Sequence, residues 1–341
     1  MRVGIVGARR AEQGIGQFVA RDLAALGADV VAIVGTRAET IASAAADLKR
    51  LYGLSVHGYL DIESMLADQR LDAVAICSPQ QFHARQLEAA LKQGVHVLCE
   101  KPLVFVPGED NADTVRPLIE QFAAAGKTLM VNQQWPYTLP AFDRCWPQAR
   151  AHPMARLEML LAPNEDGPGM IPNAMPHVLS ILLRCVPTGG HLENVRVVAP
   201  EPGRLDVVFD YVSHTGRTQV QAWFIQAPRQ PRPAGYAING CTVRRTIRMA
   251  DYAMFLETDG AGLGEIAGRD PEEAMAAALV GSEAGGVVPL EDPLRLLLAD
   301  FISRCQYGGE TGVDPALLNN VRLLDELYAA GVKQLASLKL A

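Results

Sequence analysis

The chain has 341 residues, 49% of them hydrophobic and 20% charged, with 31 basic against 38 acidic residues for a net charge of −7. That composition belongs to a globular protein long enough for two domains, each with its own core. It holds no basic run that would bind nucleic acid, and no apolar run near the ~18–20 residues a membrane span needs, so neither is expected as a partner.

The six cysteines, at 77, 99, 145, 185, 241 and 305, show neither a CxxC pair nor metal-ligand spacing. No metal site is expected. A reduced, cytoplasmic compartment fits them, and MRVGIVG enters a strand pattern directly, without a signal-peptide layout.

Taken in order, RVGIVG reads as a strand and GQFVARDLAALG as a helix ending at Gly27. VVAIVG is a strand, ETIASAAADLKRLYG a helix, LDAVAICS a strand and QQFHARQLEAALKQG a helix. HVLCE, TVRPLIEQFAAAG and TLMVNQQ continue as strand, helix, strand. Wholly apolar strands separated by helices predict a doubly wound parallel sheet over residues 1–133, a dinucleotide-binding Rossmann domain.

Beyond about residue 135 the text becomes proline-rich and its strands alternate. RLDVVFDYVS and TQVQAWFIQA are joined by the hairpin-like HTGR, and ARLEMLL, NVRVVA and CTVRRTIRMADYAMFLETDG are also β-rich. MPHVLSILLRCV interrupts as a helix, and two helical stretches close the chain. Residues 134–341 are expected to form a second, α+β domain with a large, mainly antiparallel open sheet, the closing helices able to pack back on the first domain.

The first loop is the first candidate site. Gly7 and Gly16 lie nine positions apart where a dinucleotide fingerprint has five, so Arg9, Arg10, Ala11 and Glu12 read as an insertion. With Ala8, Gly14 and Ile15 they would let the backbone meet a pyrophosphate at a helix N-terminus. At the end of the second strand an NAD site has an acidic residue for the ribose; this chain has Gly35-Thr36-Arg37. A hydroxyl and a guanidinium attract a 2′-phosphate that a carboxylate would repel, so NADP(H) is the preferred cofactor and NAD(H) a possible one.

The most specific text is DAVAICSPQQFHARQLEAALKQGVHVLCEKPL, residues 72–103. With Ser78-Pro79, His83, the helix bearing Ala89, Ala90 and Leu91, and Glu100-Lys101-Pro102, it resembles the Gfo/Idh/MocA family of glucose–fructose oxidoreductase and inositol dehydrogenase. Gln80 stands where that family often has Asn, and DFISRCQYGGETGVDPALLNNVRLLDELYAAG is similar to its closing segment. The resemblance implies a Rossmann domain, a second domain with an open sheet, and an active site between them. It also implies hydride transfer between NAD(P) and a sugar, cyclitol or related small polar molecule, and a homodimer or homotetramer formed through the second sheet. Ser78, Pro79, His83, Glu100 and Lys101 would then flank the cofactor. An ammonium at Lys101, following a strand end, can polarise a carbonyl and donate a proton.

Family members usually carry an aspartate and, four residues later, a histidine at the start of a helix in the second domain. Here these positions are Asn173 and His177, with Ser180 where another acid is common. Asparagine can orient a ring or hydroxyl but cannot take a proton or supply charge, which favours the reductive direction. Glu165 or Asp166 could replace the missing charge. Gln134, Trp135 and Tyr137, in NQQWPY, are candidate substrate contacts. Two other readings stay open: an imine reductase of a biosynthetic pathway, and a catalytically weak NADP-binding sensor or subunit.

Overall fold

The computed structural model describes residues 1–9, 14–228, 232–248, 253–258, 262–267, 286–308, 314 and 316–338. The chain divides into two compact units, 1–133 with 294–321 and 134–293 with 322–341.

The first unit contains β1 (Arg2–Val6), α1 (Gly16–Ala25), β2 (Asp29–Val34), α2 (Ala38–Tyr52), β3 (His57–Tyr59), α3 (Ile62–Asp68), β4 (Ala73–Ile76), α4 (His83–Lys92), β5 (His96–Cys99), α5 (Asn111–Ala124) and β6 (Leu129–Val131). Its strands pair in parallel in the order β3-β2-β1-β4-β5-β6, the order of a Rossmann sheet. Every residue of β4 is buried, as a strand covered on both faces requires. Val6, Val74, Ile76, Val97 and Val131 from the strands pack with Leu87, Val115 and Phe122 from the helices. β3 and α3 were not anticipated. β3 is three half-buried or exposed residues, too few for alternation to show, and α3 is set by Asp61, whose side chain accepts from Ser64 N at 2.7 Å.

The second unit holds α6 (Leu139–Cys145), β7 (Arg156–Leu161), α7 (Met170–Cys185), β8 (His191–Val198), β9 (Arg204–Ser213), β10 (Gly216–Ile225), β11 (Ala234–Ile238), β12 (Cys241–Arg248), β13 (Ala253–Thr258), α8 (Leu263–Ala267) and β14 (Val287–Leu290). α9 (Pro293–Tyr307) falls almost wholly in the first unit, and α10 (Leu317–Leu338) runs from the first into the second at residues 321–322. The sheet order is β14-β13-β12-β11-β7-β10-β9-β8, antiparallel at every pairing except β7 with β10.

Register sorts the sheet's two faces, because side chains alternate along a strand and directly paired residues share a face. One face carries Leu157, Met159 and Leu161 of β7, Val220, Ala222 and Phe224 of β10, Leu205, Val207 and Phe209 of β9, and Tyr236 of β11. α7, with twelve buried residues, packs against β7 and β10. The other face is mixed. It carries the ion pairs Arg156–Glu158 (3.0 Å) and Arg204–Asp206 (2.8 Å), and α8 closes over Leu160, Trp223 and Ala237.

Candidate active site

In the first unit the strand ends are fastened to one another. Gly7 N donates to Val34 O (3.0 Å), Cys77 N to Val6 O (2.8 Å), Glu100 N to Ile76 O (2.8 Å) and Asn132 N to Cys99 O (2.8 Å). The loops after β1, β2, β4, β5 and β6 therefore leave from one edge, the carboxyl edge where doubly wound sheets take their ligands.

Two glycines shape that edge. Gly7 has φ +82° and a Cβ there would lie 2.8 Å from Cys77 O; at Gly16 it would lie 2.3 Å from Gly7 O. Bare backbone at both lets α1 begin hard against the end of β1. Ile15, the N-cap, gives no side-chain hydrogen bond, which leaves the leading amides and dipole of α1 to an anion. This is the cradle a pyrophosphate fits. Ala8 is buried, Gly14 and Ile15 are half-buried and Arg9 is exposed, while Arg10 lies outside the described residues.

Thr36 and Arg37 are exposed at the end of β2. Arg37 is the N-cap of α2, and Thr40 Oγ1 donates to its carbonyl at 2.8 Å. The guanidinium has no side-chain partner among the described residues, and no carboxylate occupies the strand end.

His83 lies beneath the turns it joins. It is fully buried, with Nε2 2.8 Å from Ser78 O and Nδ1 3.0 and 3.1 Å from Pro102 O and Leu103 O. The ring, without exposed surface, clamps the Ser78–Pro79 turn to the Lys101–Pro102 turn. Burial lowers its pKa, against the three carbonyls that favour its charged form. Ser78 Oγ donates to Gln86 Oε1 at 2.6 Å, and Pro79 is exposed beside it.

Glu100 is half-buried, and desolvation raises its carboxyl pKa against the opposing pull of the Lys101 ammonium and the Asn132 amide. Asn132 Nδ2 donates to Glu100 Oε1. Sequence reasoning missed Asn132 in this role; its signal was a polar residue directly after a buried strand.

In the second unit α7 starts at Met170, five residues before the predicted Met175, so Asn173 and His177 sit one turn apart inside it. Asn173 Nδ2 lies 3.2 Å from Asn164 Oδ1 and 3.3 Å from Glu165 Oε1. Of the two acids considered beside it, Glu165 is thus the one that reaches Asn173, whereas Asp166 Oδ1 accepts from Gly167 N at 2.7 Å. Glu165 also acts on the half-buried Arg232, whose pKa burial lowers and this carboxylate raises. Ser180 Oγ donates to His177 O at 2.7 Å.

The half-buried His177 ring meets Trp135 edge-on, with centroids 6.5 Å apart. Trp135 is 4% exposed and meets Tyr236 at 5.9 Å, while Tyr236 stacks on Phe142 at 5.3 Å. Thr138 Oγ1 lies 2.9 Å from Tyr236 Oη and donates to Trp135 O at 2.7 Å. Burial drives the Tyr236 phenol far above its usual range. Over the Trp135 ring lies Arg245, its Cζ 5.0 Å from the centroid, another residue the sequence reading missed. Gln134 and Tyr137 are half-buried. Among the described residues no cluster of His, Cys, Asp and Glu could hold a metal ion, and no helix is long and apolar enough to cross a membrane.

Residues 1–133 match the family model described as oxidoreductase family, NAD-binding Rossmann fold. That stretch is the part of the chain that is similar to the Gfo/Idh/MocA family. Its relatives include D-xylose 1-dehydrogenase (NADP(+)) 2 of Haloferax volcanii, 39% identical over 102 residues, which are 29% of this chain and 28% of that protein. The 1,5-anhydro-D-fructose reductase of Ensifer adhaerens is 30% identical over 131 residues, 38% of this chain and 35% of that protein. These stretches span about a third or less of the curated relatives' length. Over the whole chain the fold matches UDP-N-acetylglucosamine 3-dehydrogenase GnnA from Acidithiobacillus ferrooxidans, with a TM-score of 0.64 at 20% identity, covering 98% of this chain and 96% of that one. The fold of this chain, a parallel six-stranded sheet and a mostly antiparallel eight-stranded one, is thus shared with that dehydrogenase structure.

Proposed function

We propose that this protein is an NADP(H)-dependent oxidoreductase that transfers a hydride between the nicotinamide and a carbonyl or secondary alcohol of a sugar, cyclitol or related small polar molecule, working in the reductive direction. The observation that carries the cofactor preference is the exposed Thr36–Arg37 pair at the end of β2, with the guanidinium unpartnered among the described residues. A charge-assisted contact of that kind is worth about 1.5–3 kcal/mol, enough to decide between NADPH and NADH.

Gly7, Ala8, Gly14, Ile15, Gly16 and Arg9 would hold the pyrophosphate, Thr36 and Arg37 the 2′-phosphate, and Ser78, Pro79 and Glu100 the nicotinamide end. When bound, the nicotinamide supplies the hydride. Lys101, beside the Glu100 carboxylate, donates the proton that a reduced carbonyl oxygen needs. His177 serves as second acid, Asn173 orients, and Gln134, Trp135 and Tyr137 line the substrate side. Glu165 beside Asn173 restores the carboxylate that position 173 lacks, which supports an enzyme over a binding-only protein. The names of relatives acting on D-xylose and on 1,5-anhydro-D-fructose support a sugar substrate. The mixed outer face of the second sheet is the proposed contact of a homodimer or homotetramer, and the compartment proposed is the cytoplasm.

Titration with NADPH and NADH, followed by nicotinamide fluorescence, tests the reading. NADPH is expected to bind at least tenfold tighter, and a carbonyl screen with NADPH to find turnover. Equal or tighter NADH binding overturns the cofactor preference, and binding of neither removes the enzyme reading.

A further inference from the structure

Arg244 and Arg245 are neighbours in β12 and therefore point to opposite faces of the second sheet. Arg245 pairs with Ala234 and Leu256, which places it on the face of Tyr236, Val243 and Met159. Along β7 and β9 to β14 that face carries Leu157, Met159, Phe209, Val220, Phe224, Leu256 and their like, and Arg245 is its only charged side chain among the described paired residues. A guanidinium on an apolar face is costly unless something neutralises it.

Nothing among the described residues does so. Arg245 Nε is sealed from solvent with no hydrogen-bond partner, and desolvation alone lowers the group's pKa, with no carboxylate opposing it. Its one side-chain neighbour of note is the Trp135 ring, 5.0 Å from Cζ, and a cation over an aromatic face recovers only part of the lost hydration. The residue is nonetheless only half-buried, so the outer part of the fork can meet a ligand.

Trp135 also touches the His177 ring, so Arg245 and His177 are separated by no more than the two contacts through that indole, 5.0 and 6.5 Å. One hexose ring can reach both with its substituents. We propose, resting on the oxidoreductase reading above, that Arg245 is the specificity-determining residue of the substrate site: it pairs with the carboxylate of an acidic sugar of the hexuronate type, whose reacting carbon lies towards His177. A carboxylate suits the site better than a phosphate dianion, because one guanidinium offsets one negative charge and the half-buried Arg232 already feels the Glu165 carboxylate. A planar fork and a carboxylate also match in geometry.

The test compares hexuronates with the corresponding neutral hexoses as substrates, and as ligands by quenching of tryptophan fluorescence in the presence of NADPH. The wild type is expected to favour the hexuronate at least tenfold in kcat/KM. In Arg245→Gln the hexuronate-to-hexose ratio is expected to fall about ten- to a hundredfold, the worth of a charge-assisted hydrogen bond. Arg245→Lys, which keeps the charge without the fork, should fall between them and guards against a misfolded Gln variant. Turnover of neutral sugars alone, or an equal loss on both substrates in both variants, overturns the role of Arg245 and leaves the oxidoreductase reading intact. Hexuronate binding that depends on Arg245 but leads to no turnover supports the subsite and overturns the oxidoreductase reading. Binding of neither sugar overturns the role of Arg245.

Discussion

Asn173 Nδ2 lies 3.3 Å from Glu165 Oε1, at the residue one turn before His177 in α7. The carboxylate absent from position 173 is thus supplied from the preceding loop, one amide further from the histidine. An amide passes on orientation, not a proton, so the pair can fix a geometry without creating a base.

Restoring the acid at 173 has a definite cost. Asn173→Asp would set a carboxylate against Glu165 at hydrogen-bond distance, a like-charge pair worth about 1 kcal/mol in a half-exposed setting. The single variant is expected to melt a few degrees lower. Glu165→Gln with Asn173→Asp should recover the lost stability and raise alcohol oxidation relative to carbonyl reduction. Thermal melts and turnover in both directions check this; a double variant no more oxidising than the wild type would remove Asn173 from the choice of direction.

Lys101, the proposed proton donor, is expected to act on the reaction more than on cofactor affinity. Its backbone follows β5 at the sheet's carboxyl edge, and the phosphate cradle lies in other loops. Lys101→Ala is expected to lower kcat at least tenfold while NADPH affinity changes by less than about threefold, since general acid catalysis contributes about 10²–10⁴. Unchanged turnover would exclude Lys101 from the mechanism.

Glu100 gives a prediction whose sign follows from linkage. Burial raises its folded-state pKa above the ordinary 4.5, so the folded protein holds this proton more tightly than the unfolded chain does. Stability from this group is full below the ordinary carboxylate pKa and is lost as pH rises through the raised folded value. Glu100→Gln removes that loss while keeping an acceptor for Asn132. The variant is expected to gain melting temperature relative to wild type at pH 7 and to gain less at pH 4. The same gain at both pH values would mean that the ionised carboxylate carries no penalty.

The Rossmann half was legible because buried parallel strands are continuous apolar runs, and β1, β2, β4, β5 and β6 are such runs apart from a polar first residue in β1, β2 and β5. β3 was not, since His57, Gly58 and Tyr59 take strand form by pairing with Ala32 to Val34 rather than by their own pattern. The Asn173–His177 spacing could be read, yet the choice between Glu165 and Asp166 depended on how the Gly167–Gly169 turn caps itself on Asp166. Arg245 was not read. In TVRRTIR alternation puts Arg245 on the face of Val243 and Ile247, and the register with Ala234 and Leu256 shows that this face is the apolar one.

The stretched glycine loop offers the sharpest structural test. Its spacing departs from the usual fingerprint, but the reason for a glycine at position 16 survives the insertion: a Cβ there would come 2.3 Å from Gly7 O, a backbone atom that β1 and β2 hold in place. Gly16→Ala must therefore push α1 away from the strand, at a cost of about 1–3 kcal/mol. The displaced amides would also lose their line to the phosphate. Melting temperature and NADPH affinity are expected to fall together, the affinity by tenfold or more. Gly27→Ala is the control for glycine loss alone, because φ there is +88° but an added Cβ meets nothing within 4 Å. It should lower stability through backbone strain and leave NADPH affinity as it was. If Gly16→Ala kept its affinity while losing stability, the N-terminus of α1 would not be the phosphate site.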